Sequence, residues 1–306
     1  MGIIPGKVSV VIPARNEIFL EKTIQDILLK ARGEIEIIVV LDGYWPTEFE
    51  VTGGQERRVF HNEIVNDPRV IYIHNGKSMG MRAAINNAVA IATGEFIMKS
   101  DAHCMYAEGF DITLKQYHTE DNMITIPRRK RLDADKWEIQ HLGKPDIDYE
   151  YLSSPEGAGV KGSIWTERIL ERLGKPEYDI DENMSFQGSC WFMTRQHYTD
   201  RLGGMDDVNY GTFVREAQEL GLKTWLGGGR VMINKKTWYA HLHKGKTYGR
   251  MYYLNQKAMI EGEKFCDDYW FNNRYPAAVR DLAWLIEHFA PVPGWTPELI
   301  ESVRKK

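Results

Sequence analysis

Three cysteines in 306 residues, Cys104, Cys190 and Cys266, are too few and too scattered for a disulfide framework or a Cys-x-x-Cys zinc knuckle. No apolar run approaches the roughly 20 residues that span a bilayer, and Met1–Lys7 leads straight into a β-like segment without a secretory signal. These absences set the expectation of a cytoplasmic protein with no membrane span. An excess of one charge is also missing: the formal net charge of −4 argues against whole-molecule attraction to nucleic acid and leaves only a local basic groove open. No internal repeat or low-complexity segment is present. With 43% hydrophobic and 27% charged residues, wholesale disorder is excluded as well.

What is present is alternation. Val8–Pro13 and Glu36–Leu41 are short apolar runs of the kind found in buried parallel strands, and Arg69–His74 and Glu95–Lys99 continue the series. Between them, Ile18–Lys30 has apolar residues at helical spacing, and Met81–Ala92 is Ala-rich and closed by Thr93-Gly94. The pattern predicts an α/β fold with a Rossmann-like, mostly parallel sheet, whose ligands gather at the carboxyl ends of the strands. Arg15, Asp42 and Asp101 all fall just past such ends. Asp101 and His103, two apart at the end of an extended run, point the same way. They read either as half of a divalent-metal site or as a polar strand end facing water. Residues 43–68 read as an insertion or mobile loop beside the cleft. Segment 128–187 changes character and is expected to be a substrate-specific elaboration, with a helix at Ser163–Leu173. The division expected is 1–127 as a first half, 128–187, 188–246 as the second half of the same domain, and a helical extension over 247–306 that packs across the sheet.

Five strings follow one another in order: VSVVIPARNE, EIIVVLDG, SMGMRAAINNAVAIATGEFIMKSDAH, QGSCWFMTR and EAQELGLKTWLGGGRVMINKKTWYAH. Each is weak alone, but the ordered set resembles the GT-A nucleotide-sugar glycosyltransferases. Within these it resembles the polypeptide N-acetylgalactosaminyltransferase-like branch, over roughly residues 7–127 and 184–243. The resemblance implies a GT-A fold and an Mn²⁺ (or Mg²⁺) ion held by Asp101, His103 and His241, with His243 as a competitor for the third place. For a UDP-sugar donor it implies Pro13, Ala14, Arg15 and Glu17 around base and ribose, and Asp42 at the uracil or ribose edge. Gly80 and Arg82 belong near the diphosphate, Ser100 beside the metal pair, and Gly188 and Ser189 against the sugar. Glu216 falls on a family acid, while Ala217 stands where inverting relatives carry a base. Glu216 is then expected to face the sugar in a retaining reaction, with Asp207 or Asp206 as an alternative base in an inverting one.

For the acceptor, the run Arg128-Arg129-Lys130-Arg131 reads either as a solvated surface or as a phosphate-contacting rim together with Lys161, Lys244, Lys246 and Arg250. Small cytoplasmic enzymes of this appearance resemble phage-type glycosyltransferases acting on hydroxymethylated pyrimidines in DNA, and this is the first expectation. Trp137 and Trp191 would be aromatics of the acceptor channel. A polysaccharide, glycolipid precursor or protein acceptor is the alternative, and an inactive nucleotide-binding or interaction module is the alternative of another class.

Overall fold

The computed structural model describes residues 2–43, 51–52, 55–56, 65–250 and 252–305. Much of the 43–68 connection, and the side chain of Lys246, lie outside the described residues. In chain order the elements are β1 Ile4–Ala14, α1 Leu20–Lys30, β2 Ile35–Asp42, β3 Val51–Thr52, β4 Gln55–Glu56, β5 Val70–Asn75, α2 Met81–Ile91, β6 Gly94–Ser100 and β7 Cys104–Tyr106. Then come α3 Phe110–Gln116, β8 Met123–Asp133, β9 Glu138–Ile139, β10 Glu150–Leu152, β11 Gly162–Ile164, α4 Thr166–Glu171, β12 Ile180–Glu182 and β13 Cys190–Thr194. The last are α5 Glu216–Leu226, β14 Arg230–His241, α6 Gly245–Tyr248, α7 Gln256–Phe271, α8 Leu282–His288 and α9 Pro297–Ser302.

One sheet runs in the order β12-β14-β8-β13-β6-β1-β2-β5, with β7 paired to β14 and β9 to β8. β1, β2, β5 and β6 are mutually parallel, as are β8 and β14, and β13 runs against its neighbours β6 and β8. All eight residues of β2 are buried, because both faces of the sheet are covered. The period of two divides its side chains cleanly. Val10, Ile12, Ile37 and Val39 pack with α1 and α3, whereas Val11, Ile38 and Val40 join the larger core that holds α2, α5, α7 and α8. α8 packs against α5, where Trp225 stands edge-on to Phe289 at 5.3 Å, and reaches the sheet at β12 through His288 and Glu182. The helix expected at Ser163–Leu173 starts only at Thr166, since Gly162–Ile164 is drawn into antiparallel pairing with β10. Among the described residues no helix is long and apolar enough to cross a membrane.

Arg82, placed by the resemblance beside the diphosphate, is instead turned into the core. Its side chain is fully buried, pairs with Glu219 and the carbonyls of Asp206 and Val214, and lies 4.4 Å from the Tyr210 ring centroid. An Ala-rich helix admits an arginine only with such partners. Lys223 also reaches Glu219, at 2.7 Å. Arg82→Met is therefore expected to lower unfolding free energy by about 3 kcal/mol, the low end for breaking a buried pair, as urea denaturation will read.

Candidate active site

The carboxyl ends of β1, β2, β6 and β14 and the amino end of β13 meet at one edge of the sheet. They surround a cleft of about 750 Å³, a size suited to a nucleotide and a sugar. β6 delivers Asp101, and the turn to β7 delivers His103. β14, pairing with β7 at His241↔Cys104, brings His241 to the same point. The three offer ligand atoms that lie within 4.8 Å of one another. His241 Nε2 is 3.2 Å and His103 Nε2 3.8 Å from Asp101 Oδ2. His243 lines the cleft with its ring edge-on to His241 at 5.2 Å, outside that triad.

Burial pushes the His241 imidazole down to about 3, leaving it neutral. Burial works the other way on Asp101, but Lys99, His241 and His103 hold its carboxyl well below the usual carboxylate range. A carboxylate and two imidazoles, with a neutral ring among them, suit a divalent first-row cation and leave coordination positions free.

Glu17 is not a free donor-binding group. Its carboxylate accepts both contacts from Lys244, at 2.5 and 2.6 Å, and stands 3.3 Å from His103 Nδ1. It lies beside the ring within ion-pair distance, without a hydrogen bond to Nδ1. Asp42 reaches the cleft with its acceptors taken: Oδ1 by Asn75 and the Met79 N–H, Oδ2 by Ser78 and the Gly80 N–H. Those bonds fix the entry to α2, where Gly80 has φ 93° and a Cβ would meet Thr212 at 2.6 Å.

Burial opposes ionisation of Asp42, yet these four bonds hold its carboxyl below its ordinary value. The folded-state pKa is thus depressed. The stabilisation is present above the unfolded value of about 4 and fades as pH falls through the folded one. Asp42→Asn is expected to cost about 2 kcal/mol at neutral pH. Its deficit relative to wild type should shrink in acid, measured by urea unfolding at both pH values.

Pro13, Ala14, Arg15, Gly188 and Ser189 line the cleft, with Arg15 stacked 5.0 Å from the Tyr252 ring centroid. Ser100 is buried behind it, its hydroxyl bonded to Tyr106 and the Asp101 carbonyl. Glu216 opens α5 at the cleft floor, where burial pushes its carboxyl up, against Lys99 and Trp191. Trp191 is fully buried and donates Nε1 to Glu216 Oε1 at 2.7 Å, so it supports that carboxylate instead of lining a channel. Asp207 is exposed and lies outside the cleft, and Asp206 is engaged by Asn209 and the Val208 N–H. Neither is positioned as a base.

The basic run is likewise redistributed. Arg128 pairs with Asp148 through two 2.8 Å bonds, Lys130 with Asp146 at 2.8 Å, and buried Arg129 with Glu150 at 2.9 Å. Arg131 donates to the Pro145 carbonyl at 3.1 Å, and Trp137 packs on Phe19 away from the cleft. Lys99, Glu150, Gln187 and Gln218 are among the cleft residues that carried no sequence expectation. Of these four, only Lys99 had a readable signal, standing two before Asp101 and so on the same strand face.

A curled, mostly parallel sheet with this cleft at its strand ends is the GT-A fold. Residues 9–202 match the family described as Glycosyl transferase family 2, and the chain belongs to that family. Its structure is similar to the crystal structure of GalNAc-T7 with UDP, GalNAc and Mn²⁺, with a TM-score of 0.67 and 16% identity, covering 93% of this chain and 56% of that one. The chain thus spans little more than half the length of that relative, and the likeness speaks for the fold alone. S. aureus TarS 1-349 is a more remote likeness, at 12% identity and TM-score 0.46, covering 77% of this chain and 60% of that one.

Proposed function

We propose that the protein transfers a sugar from a UDP-sugar to a hydroxyl acceptor, with Mn²⁺ or Mg²⁺ held by Asp101, His103 and His241. The convergence of these three side chains in the cleft carries the reading. The cation supplies charge neutralisation to the departing diphosphate when bound. The anomeric C–O bond to phosphate breaks with its electron pair leaving on UDP, and the acceptor oxygen forms the new bond. Glu216, held by Trp191 and facing Lys99, would steady positive charge at the anomeric carbon, a role its contacts support. Ala217 supplies no base, so the acceptor proton passes to the departing phosphate and configuration is retained.

Two acceptor classes follow. The first is a 5-hydroxymethylpyrimidine in DNA, as the phage-type resemblance suggests. The second is a glycan or glycolipid hydroxyl, favoured by a specific observation: the charges of Arg128, Arg129 and Lys130 are met inside the protein by Asp148, Glu150 and Asp146, which leaves them turned away from an acceptor's phosphates. Mass spectrometry of hydroxymethylated DNA and of a glycan panel, after incubation with UDP-sugars and Mn²⁺, separates the two. Absence of both transfer and donor hydrolysis with every UDP-sugar would sink the enzymatic reading.

A further inference from the structure

Lys99 stands where a cation is least expected, beside a candidate cation site. Strand alternation sends it to the same side as Asp101, and its neighbours leave it 1% exposed. The ammonium donates to Asp101 Oδ1 and to the Gly188 carbonyl, both at 2.5 Å, and stands 3.5 Å from Glu216 Oε2, within ion-pair range. Asp101 thereby turns Oδ1 inward and presents Oδ2 to His103 and His241. Glu216, which belongs to no metal triad, is held by the same ammonium and by Trp191. Without Lys99, these two carboxylates would repel each other with no positive charge between them.

We propose that Lys99 is a positioning residue that couples the sugar-facing Glu216 to the metal-facing Asp101, so that a change at either carboxylate is felt at the other. The metal half of this inference rests on the function proposed above, whereas the bridge itself does not. Removing the charge of Glu216 leaves Lys99 to Asp101 alone, drawing that carboxylate's charge away from the cation.

A double-mutant cycle over wild type, Glu216→Gln, Lys99→Met and the double variant reads both halves. In Mn²⁺ titration calorimetry, Glu216→Gln should weaken binding about fivefold or more in the wild-type background and less than about twofold with Lys99→Met, a difference of the size expected for groups in direct contact. Equal effects in both backgrounds, the signature of direct attraction between Glu216 and the ion, would overturn the coupling, as would no effect in either.

Melting without metal judges the bridge alone. Lys99→Met should lose on the order of 5–10 °C, and adding Glu216→Gln should restore part of it. Additive losses refute the bridge even if Mn²⁺ binds. Failure of wild type to bind Mn²⁺ refutes the metal reading, and with it the coupling to the ion, while this second cycle still decides the bridge. Lys99→Gln, which keeps hydrogen bonding without charge, replaces Lys99→Met if the latter does not fold.

Discussion

Asp101→Ala is expected to abolish both sugar transfer and donor hydrolysis while leaving the fold intact. The loss should exceed the roughly 10–100-fold that follows removal of a mere supporting partner of a metal ligand. Asp101 is the hub of its surroundings: Oδ1 takes Lys99, Oδ2 faces both imidazoles, and its N–H is held by the Ser189 carbonyl at 2.9 Å. Replacement by Ala removes the anionic ligand and keeps the backbone bond, so circular dichroism should be unchanged. It also strips Lys99 of one of its two carboxylates. Calorimetry should show Mn²⁺ binding lost together with turnover, and the variant should not be rescued by saturating donor. A variant that still turned over donor at near wild-type rate would move the chemistry away from this strand end.

Gly188→Ala is the second large effect. A Cβ at this position would stand 2.7 Å from Glu216 Oε2 and 2.8 Å from its Cδ. Glu216 cannot retreat without giving up Trp191 Nε1, and Gly188 cannot move without disturbing its carbonyl on Lys99. A displacement of about 1 Å at a reacting group costs on the order of 10²-fold. The expected result is a fall of that size in kcat with donor KM nearly unchanged, because in the proposed reaction Glu216 acts on the sugar and not on the nucleotide. Gly188→Ala should therefore resemble Glu216→Gln in steady-state kinetics. A change confined to KM would place residue 188 against the nucleotide instead.

How far the sequence could be read follows from the kind of signal each feature leaves. β2 and α2 are plain in the sequence because a buried parallel strand needs an unbroken apolar run and a helix packed close to a sheet needs small residues. Asp101 and His103 are legible as a pair because two-residue spacing at a strand end fixes their common direction. His241 is not: nothing local distinguishes it from His243, and it reaches the triad only through the pairing of β14 with β7. The pairing of Arg128–Lys130 with Asp146, Asp148 and Glu150 is not legible either: the acids recur at every second residue, but nothing local shows that their stretch lies antiparallel to β8, which it meets at a single bridge, Arg129↔Ile147. Arg82 misled for a related reason. Its neighbours in sequence are small and apolar, and the partners that draw it inward, Glu219 and Tyr210, are supplied by a distant helix and loop.

Asp101 and His241 are 140 residues apart in the chain. Any ion they share acts as a clasp, cross-linking the first half of the sheet to its last long strand and closing a long loop in the unfolded chain. Occupancy then becomes a matter of durability as well as catalysis, because a ligand bound only by the folded form raises its stability by mass action. A chelator should release β14 and the segments beyond it first, so that proteases cut the C-terminal third of a stripped sample while the β1–β6 half still resists.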